Sequence, residues 1–153
     1  MALPPSKAKT GFGSKFALAA TSILAAGGGD GVDWSEVKGL KPPSDSWDTA
    51  EVTHFQSPDQ RREWIKTLID SGEADIAVNL VPGGATDLAM QAANNSPDAS
   101  FYVMMIPKGA GAYWKITGQC LVTGYDRDVT IGDAMAATAK LKFTGTRVEA
   151  AAA

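Results

Sequence analysis

The amino-acid sequence predicts a mainly β protein, a β-sandwich or small barrel of antiparallel strands with one or two short helices at its flank. The clearest strand lies within residues 72–84, where apolar and polar side chains alternate as in a strand with one buried face. Residues 100–146 contain further strand-like runs separated by turns. Successive strands with one or two helices between them are typical of small antiparallel β folds.

Length and composition are those of one globular domain with an ordinary charge balance. A chain of 153 residues is long enough to bury ~68–70% of the surface that its unfolded form exposes. Fourteen basic and seventeen acidic residues give a net charge of -3, which argues against a surface that grips nucleic-acid phosphates. The single cysteine, Cys120, excludes an internal disulfide and a cysteine-based zinc site.

Residues 1–33 are predicted to form an N-terminal arm with one short strand near residues 16–19. They are rich in Ala, Gly, Ser and Lys, and GGGDG at 27–31 is typical of a flexible connection. The apolar run 16–26 after three lysines also has the outline of a secretory signal peptide, which would make the mature chain a secreted β-sandwich binding module. The arm is favoured because the run is Ala-rich and its basic region is long.

The domain proper is predicted to span residues 34–146, with a C-terminal tail at 147–153. Residues 34–40, WSEVKGL, alternate weakly as a strand that ends at two prolines. A long connection, residues 41–71, follows before the clear strand in 72–84.

Within this connection, residues 51–55 have the composition of a strand, and a helix is predicted after them. An S-x-x-Q capping pattern with proline at its second position begins at Ser57. Large apolar residues then recur at helical spacing, namely Trp64, Ile65, Leu68 and Ile69. The helix would end near Gly72, and a loop with one or two helical turns is the alternative.

The rest of the chain predicts one more helix and three strands. Residues 85–95 contain helix formers and are followed by Pro97, so a short helix is expected there. Residues 100–107 are apolar on both faces, as in a buried central strand, and residues 112–125 alternate. The long strand 134–146 places Met135, Ala137, Ala139, Leu141 and Phe143 on one face and Thr138, Lys140, Lys142 and Thr144 on the other.

Three candidate chemical sites are each less favoured than a structural interpretation. The lone His54 excludes sites that need two histidines, and a catalytic triad usually draws its members from distant segments rather than from neighbours such as Ser57. The acidic residues of 51–76 are at ordinary density, which favours solvated faces over a glycosidase carboxylate pair. With no cofactor signature, the prediction is a protein without catalysis.

The third candidate is a calcium site in GYDRDVTIGD, residues 124–133. Its carboxylates are Asp126, Asp128 and Asp133. The segment lacks the glycine and the terminal glutamate of an EF-hand loop, so a charged hairpin turn is favoured and cation binding stays open.

One long segment resembles a known family. The run VTHFQSPDQRREWIKTLIDSGEADIAVNLVP is similar to the characteristic segment of tail tube proteins, also called major tail proteins, of long-tailed bacteriophages. The matching residues are Val52, Thr53, Ser57, Arg62, Trp64, Leu68, Asp70, Gly72, Glu73, Asn79 and Pro82. Ser71 departs from the family's D-G-E pattern. The end of the chain, GQCLVTGYDRDVTIGDAMAATAKLKFTGT, looks like the family's final strand pair, so the resemblance covers about residues 34–146.

The resemblance implies a structural virion protein of the phage tail, made in the host bacterial cytoplasm. Such subunits form hexameric rings that stack into a hollow tube conducting DNA, with other tail proteins such as the tape measure and the tail terminator as partners. Residues 41–71 would carry stacking contacts to the next ring, and the arm and tail would contact other subunits. A tube subunit of a secretion or contractile-injection machine shares the general fold and is the alternative.

Two sets of site residues follow, with no cofactor and no metal among them. Contacts with a neighbouring subunit are expected at Arg61, Arg62, Glu63 and Trp64, because adjacent arginines beside acids favour ion pairs. The lumen is expected to be lined by Glu73, Asp75 and Asn79, which would repel DNA phosphate so that the duplex slides without specific binding. Repulsion of DNA requires that the side chains of Lys140 and Lys142 do not face the lumen.

Overall fold

A single antiparallel sheet of seven strands dominates the computed structural model, which describes residues 10–19, 32–33 and 36–152. The strands are β1 (Lys15–Ala19), β2 (Val32–Asp33), β3 (Val37–Gly39), β4 (Ser46–Glu51), β5 (Trp64–Asp70), β6 (Glu73–Asn79), β7 (Ser100–Gly109), β8 (Ala112–Asp128) and β9 (Ala136–Ala152). The one α-helix among the described residues, α1, spans Ala85–Asn95. The sheet order is β2-β1-β7-β8-β9-β6-β3, and β4 pairs only with β5 in a separate hairpin. The predicted antiparallel β class is confirmed.

The sheet curls around a main hydrophobic core to which all of its longer strands contribute, and a smaller cluster of Ala17, Ala19 and Val103 is separate from it. β6 shows why, because Ala74, Ile76 and Val78 are buried while the alternating Glu73 and Asp75 are exposed. The core residues are Phe16, Leu18, Ala74, Ile76, Val78, Leu80, Met90, Tyr102, Met104, Ile116, Cys120, Ala137, Ala139, Leu141 and Phe143. The pairing of β8 with β9 shifts register twice, and such bulges bend a sheet and increase its twist.

Helix α1 is held against β8 by a buried carboxylate. Asp87 accepts hydrogen bonds from the Tyr125 hydroxyl, from the Gly83 amide at 3.1 Å and from Gln91 Nε2 at 3.0 Å. Its Oδ1 also lies 3.2 Å from Arg127 Nε. The Tyr125 hydrogen bond is the main cause that lowers the pKa of Asp87, against the opposing effect of burial. A negative charge in the first turn also suits the helix dipole.

Most predicted elements are confirmed. Helix α1 occupies the predicted residues 85–95, and the strands expected in 100–107, 112–125 and 134–146 are present and longer than expected. Strand β1 lies within the predicted arm and β9 continues to Ala152 through the predicted tail, so both regions contribute to the sheet. Residues 1–9 and 20–31 of the arm lie outside the described residues.

The helix predicted from Ser57 to Gly72 is wrong. Residues Pro58–Gln60 form only a 3-10 turn, which Asp59 and Gln60 interrupt with φ values of 54° and 57°. The chain then forms β5 rather than a helix. Ser57 makes no side-chain cap, because its hydroxyl is bonded to Glu63 instead.

Candidate assembly surfaces

The β4–β5 hairpin, residues 45–71, is the first candidate surface. Every residue of its two strands is exposed except the half-buried Ala50. The exposed large apolar side chains of the hairpin are Trp47, Val52, Phe55, Trp64, Ile65, Leu68 and Ile69. A two-stranded hairpin alone is marginally stable in water, and a cluster of exposed apolar groups marks an interaction site.

Apolar side chains occupy both faces of this hairpin. Trp47 pairs with Ile69 across the strands, and the Lys66 ammonium lies 5.4 Å from the Trp47 ring on the same face. Because side chains alternate along a strand, Ile65 and Leu68 point to the opposite face. A single neighbour on one side therefore leaves apolar surface exposed on the other.

Two ion pairs anchor the base of the hairpin to β9. Arg147 donates two hydrogen bonds to the Asp45 carboxylate, at 2.8 and 2.6 Å. Lys142 donates to both oxygens of Asp70, at 3.2 and 3.0 Å. The Gly72 amide, followed by Lys142, lowers the pKa of Asp70. Since one anchor lies on each strand of the hairpin, the exposed hairpin leaves the sheet in a fixed direction.

The tip of the hairpin is organised by Glu63. Its Oε2 accepts a hydrogen bond from Ser57 Oγ at 2.6 Å and lies 3.5 Å from His54 Nε2. Its own amide donates to Thr53 Oγ1 at 3.0 Å. Because Ser57 bonds to a carboxylate and not to the imidazole, the tip lacks the serine–histidine contact that nucleophilic catalysis requires. The exposed His54 helps to hold this turn through its contact with Glu63 and by accepting a hydrogen bond from the Gln56 amide at Nδ1.

The four predicted contact residues divide into two groups. Arg61, Arg62 and Trp64 are exposed, and among the described residues the only ion pair within 4 Å that these arginines make is between Arg62 Nε and Glu51, at 3.8 Å. Glu63 is half-buried and engaged within its own chain. Contact of all four with a neighbouring subunit stays a prediction, and the first three are free to make it.

The predicted lumen face carries both signs of charge. Cross-strand pairing sets Glu73 opposite Lys142 and Asp75 opposite Lys140, so these four side chains share one face of the sheet. Lys142 Nζ lies 3.8 Å from Glu73 Oε1. Repulsion of DNA by this face required both lysines to lie elsewhere, and because they share the face with Glu73 and Asp75, that repulsion no longer follows. That the face lines a lumen stays a prediction.

Two further polar residues lie near this charged face, Asn79 on β6 and Asp126 on β8. Asn79 is half-buried, and its Oδ1 has no hydrogen-bond partner in the described part of the chain. Asp126 extends the charged face onto β8, where its Oδ2 lies 3.8 Å from Lys140 Nζ.

A second candidate surface is the β8–β9 loop, residues 129–135. Val129 and Ile131 are 70% and 105% exposed, and the flanking Asp128 and Asp133 are also exposed. The predicted charged hairpin turn is confirmed, since Asp128 pairs with Ala136 across it. Among residues 10–19, 32–33 and 36–152, no group of three or more acidic, histidine or cysteine residues is placed to hold a metal ion.

Sequence reasoning missed the anchors of the hairpin. Asp45 and Arg147 stand 102 positions apart, and nothing in either local sequence marks them as partners. The exposure of both hairpin faces was also missed, although the density of large apolar residues in 64–69 was a visible signal. No helix of the described chain is long and apolar enough to cross a membrane.

Comparison with solved structures assigns the fold. A tail chain of a gene transfer agent particle matches with a TM-score of 0.66 at 14% identity, covering 92% of this chain and 98% of that one. The SPP1 tail tube protein matches with a TM-score of 0.60 at 11% identity, over 89% and 75% of the two chains. A chain of the anti-feeding prophage baseplate matches with a TM-score of 0.61 at 11% identity, over 97% of each. The fold is that of tail tube subunits.

The family follows from the sequence itself. Residues 27–150 match the family described as lambda phage tail tube protein, TTP. The chain belongs to this family and is a structural component of the virion tail. No curated protein matches the chain.

Proposed function

We propose that this chain assembles into hexameric rings that stack into the hollow tail tube through which phage DNA passes. The anchored β4–β5 hairpin is the observation that carries this proposal. Its two apolar faces are exposed in the single chain, yet its base is fixed to β9 by Asp45–Arg147 and Asp70–Lys142. A projecting element that is held in direction and is apolar on both sides suits insertion between neighbouring copies, so residues 41–71 carry the stacking contacts.

Ring closure follows from the edges of the sheet. The seven-stranded sheet ends at β2 and β3, and no other strand of the described residues pairs with their outer edges. Edge-to-edge contact in a closed ring satisfies the backbone groups of such edges and removes the hazard of open aggregation. The N-terminal arm and the C-terminal end contribute further contacts between subunits.

Passage of DNA without specific binding follows from charge balance rather than from simple repulsion. The proposed lumen face, Glu73, Asp75 and Asn79, also presents Lys140 and Lys142, each within 3.8 Å of a carboxylate. Lysines paired in this way offer little net positive charge to phosphate, and adhesion by counterion release requires unneutralised cations. A duplex therefore meets a mixed surface along which it slides.

Other tail proteins, such as a tape measure and a tail terminator, are the expected partners of the assembled tube. A tube subunit of a contractile-injection machine is the second candidate, because a chain from the sheath and tube terminator of an extracellular contractile injection system shares this fold. The presence or absence of a sheath around tubes isolated from the native particle distinguishes the two.

Electron microscopy of the purified, concentrated chain tests the proposal. Hollow tubes with sixfold symmetry in end views are expected. A chain that remains monomeric at millimolar concentration, with and without purified tail initiation components, contradicts it.

Charge reversal at the hairpin tip tests the contact residues. The double variant Arg61→Glu, Arg62→Glu should stay folded, because both side chains are exposed, and should lose tube formation. The control Arg61→Lys, Arg62→Lys keeps the charge and should still assemble. Normal tubes from the glutamate variant would show that these arginines make no stacking contact.

A further inference from the structure

A tight turn at the tip of the β4–β5 hairpin presents Phe55 to solvent. The Ser57 amide donates to the His54 carbonyl at 3.0 Å, which closes the turn with Phe55 at its second position. The Gln56 amide donates to His54 Nδ1 at 3.1 Å, and the His54 amide donates to Ser57 Oγ at 3.0 Å. The backbone on both sides of Phe55 is therefore fixed, while Phe55 itself is 111% exposed, so its own chain leaves its ring uncovered.

Glu63 holds this turn from the opposite side of the tip. Its carboxylate accepts from Ser57 Oγ at 2.6 Å, its carbonyl accepts from the Val52 amide at 2.9 Å, and its amide donates to Thr53 Oγ1 at 3.0 Å. Residues 52–57 are thus tied to Glu63 in the single chain. A loop that is already ordered loses less conformational entropy when it binds, which favours contact.

The backbone between the turn and Glu63 departs from ordinary geometry. Asp59 and Gln60 have φ values of 54° and 57°, a left-handed conformation that successive non-glycine residues rarely adopt. The Arg61 amide closes this segment onto the Pro58 carbonyl at 3.0 Å. Such backbone persists where its surroundings fix it, and it is concentrated at binding and switching sites.

Charge does not select a partner for the tip, whereas an exposed aromatic ring does. The charged side chains around the turn nearly cancel, since three are acidic and two are basic: Glu51, Asp59, Glu63, Arg61 and Arg62. An apolar centre within a polar rim is the usual composition of a protein interface, and aromatic residues at such a centre supply most of the binding energy.

We infer that Phe55 is the central contact residue between the hairpin and a second copy of this chain, and that Glu63 positions it. This inference rests on the tube assembly proposed above and adds a residue outside the predicted contact set. A second copy suits the ring because every copy exposes large apolar side chains that it can cover, among them Trp64 and Leu68. Glu63 acts through the turn and does not itself touch that copy.

Phe55→Ala in the full-length chain is the first test, read as the lowest concentration at which tubes sediment. This threshold should rise roughly tenfold or more, as is usual when an aromatic residue at the centre of an interface is truncated. The fold should not change, because the side chain is exposed. The matched control Leu88→Ala truncates an exposed apolar side chain of α1, outside the hairpin, and its threshold should stay within about twofold of wild type.

A pair of substitutions at Glu63 tests the positioning role. Glu63→Ala removes the acceptor for Ser57 and should raise the threshold roughly tenfold, whereas Glu63→Gln keeps an acceptor oxygen and should stay within about threefold of wild type. Below the threshold, hydrogen exchange of the Gln56 and Ser57 amides should accelerate in Glu63→Ala but not in Glu63→Gln. Exchange of the β7 amides should be unchanged in both variants.

The outcomes separate this inference from the assembly proposal. A raised threshold in Phe55→Ala and Glu63→Ala, with normal assembly of Leu88→Ala and Glu63→Gln, supports it. Wild-type tubes whose threshold Phe55→Ala leaves unchanged overturn the inference and leave tube assembly standing. A raised threshold in Glu63→Ala without faster exchange at the turn overturns the positioning role, because Glu63 would then contact the second copy directly. A wild-type chain that forms no tubes overturns both proposals.

Discussion

At the scale of single residues, the packing around Tyr102 shows how closely the core of the sheet is fitted. Tyr102 is 2% exposed and its ring lies at a tilted angle to Phe143, with centroids 5.1 Å apart. The ring also lies against Gly118, where a Cβ atom would lie 3.0 Å from the Tyr102 hydroxyl oxygen and 3.2 Å from two of its ring carbons. Glycine at 118 is therefore a steric requirement of the tyrosine, in a strand where glycine otherwise weakens packing.

Gly118→Ala should destabilise the fold by about 1–3 kcal/mol, the usual cost of overpacking a core. The free energy of unfolding in urea measures this. Gly39→Ala is the matched control, since a Cβ there meets nothing within 4 Å, and we expect a change within about 0.5 kcal/mol. Equal effects of the two substitutions would contradict the steric explanation.

At the scale of elements, the β4–β5 hairpin contains a strand whose apolar residues have the spacing that is typical of a helix. The register of the two strands shifts between Trp47 and Thr49, which adds a residue to β5 at this point. The extra residue breaks the strict alternation, so Trp64, Ile65, Leu68 and Ile69 acquire helical spacing while lying on both faces of a strand. The anchors at the base then hold this element away from its own core.

Breaking an anchor should loosen the hairpin without unfolding the domain. In Arg147→Gln, the bidentate contact to Asp45 is lost, and because both partners are only partly buried the global cost should be about 1 kcal/mol or less. Hydrogen exchange of the β4 and β5 amides should accelerate at least tenfold, while β7 and β8 stay protected.

Lys140→Gln is the control for this prediction. It removes an exposed ion pair to Asp126 that does not touch the hairpin, so hairpin exchange should not change. Accelerated exchange across the whole sheet in Arg147→Gln would mean that the contact supports the fold and not the hairpin alone.

At the scale of the whole molecule, stability at alkaline pH depends on two buried groups that can lose a proton. They are the Tyr102 hydroxyl and the Cys120 thiol, and both lie in the main core. Burial raises the pKa of Tyr102 to about 12, from an ordinary value of 10.0. Burial also raises the pKa of Cys120 to about 12, from 9.0. In the unfolded chain both groups release their protons at lower pH than in the folded chain, so the unfolded state gains relative stability as pH rises.

Stability to urea should therefore be constant up to about pH 8 and fall between about pH 9 and 12, with most of the fall above pH 10. Cys120→Ala is informative because it removes one of the two groups. It should be less stable at pH 8, where it leaves a small cavity, but should lose less stability than wild type between pH 8 and 11. If the stability of the two proteins to urea fell in parallel between pH 8 and 11, the Cys120 thiol would play no part in the loss of stability at high pH.

The sequence by itself determined the elements whose pattern is local. Alternation along β6 and β9 and the composition of α1 predicted their positions, because burial of one face imposes a period of two on a strand and about 3.6 on a helix. The family resemblance in residues 34–146 was also legible in the sequence, and the family assignment confirms it.

Only the tertiary structure decided which residues meet across strands. It placed Lys142 opposite Glu73, so that the predicted lumen face is mixed in charge, and it joined Asp45 to Arg147. It also made residues 64–70 a strand, by pairing them with residues 46–51. The physical reason is the same in each case: strand register and ion pairing depend on segments distant in the chain, and no local pattern contains that information.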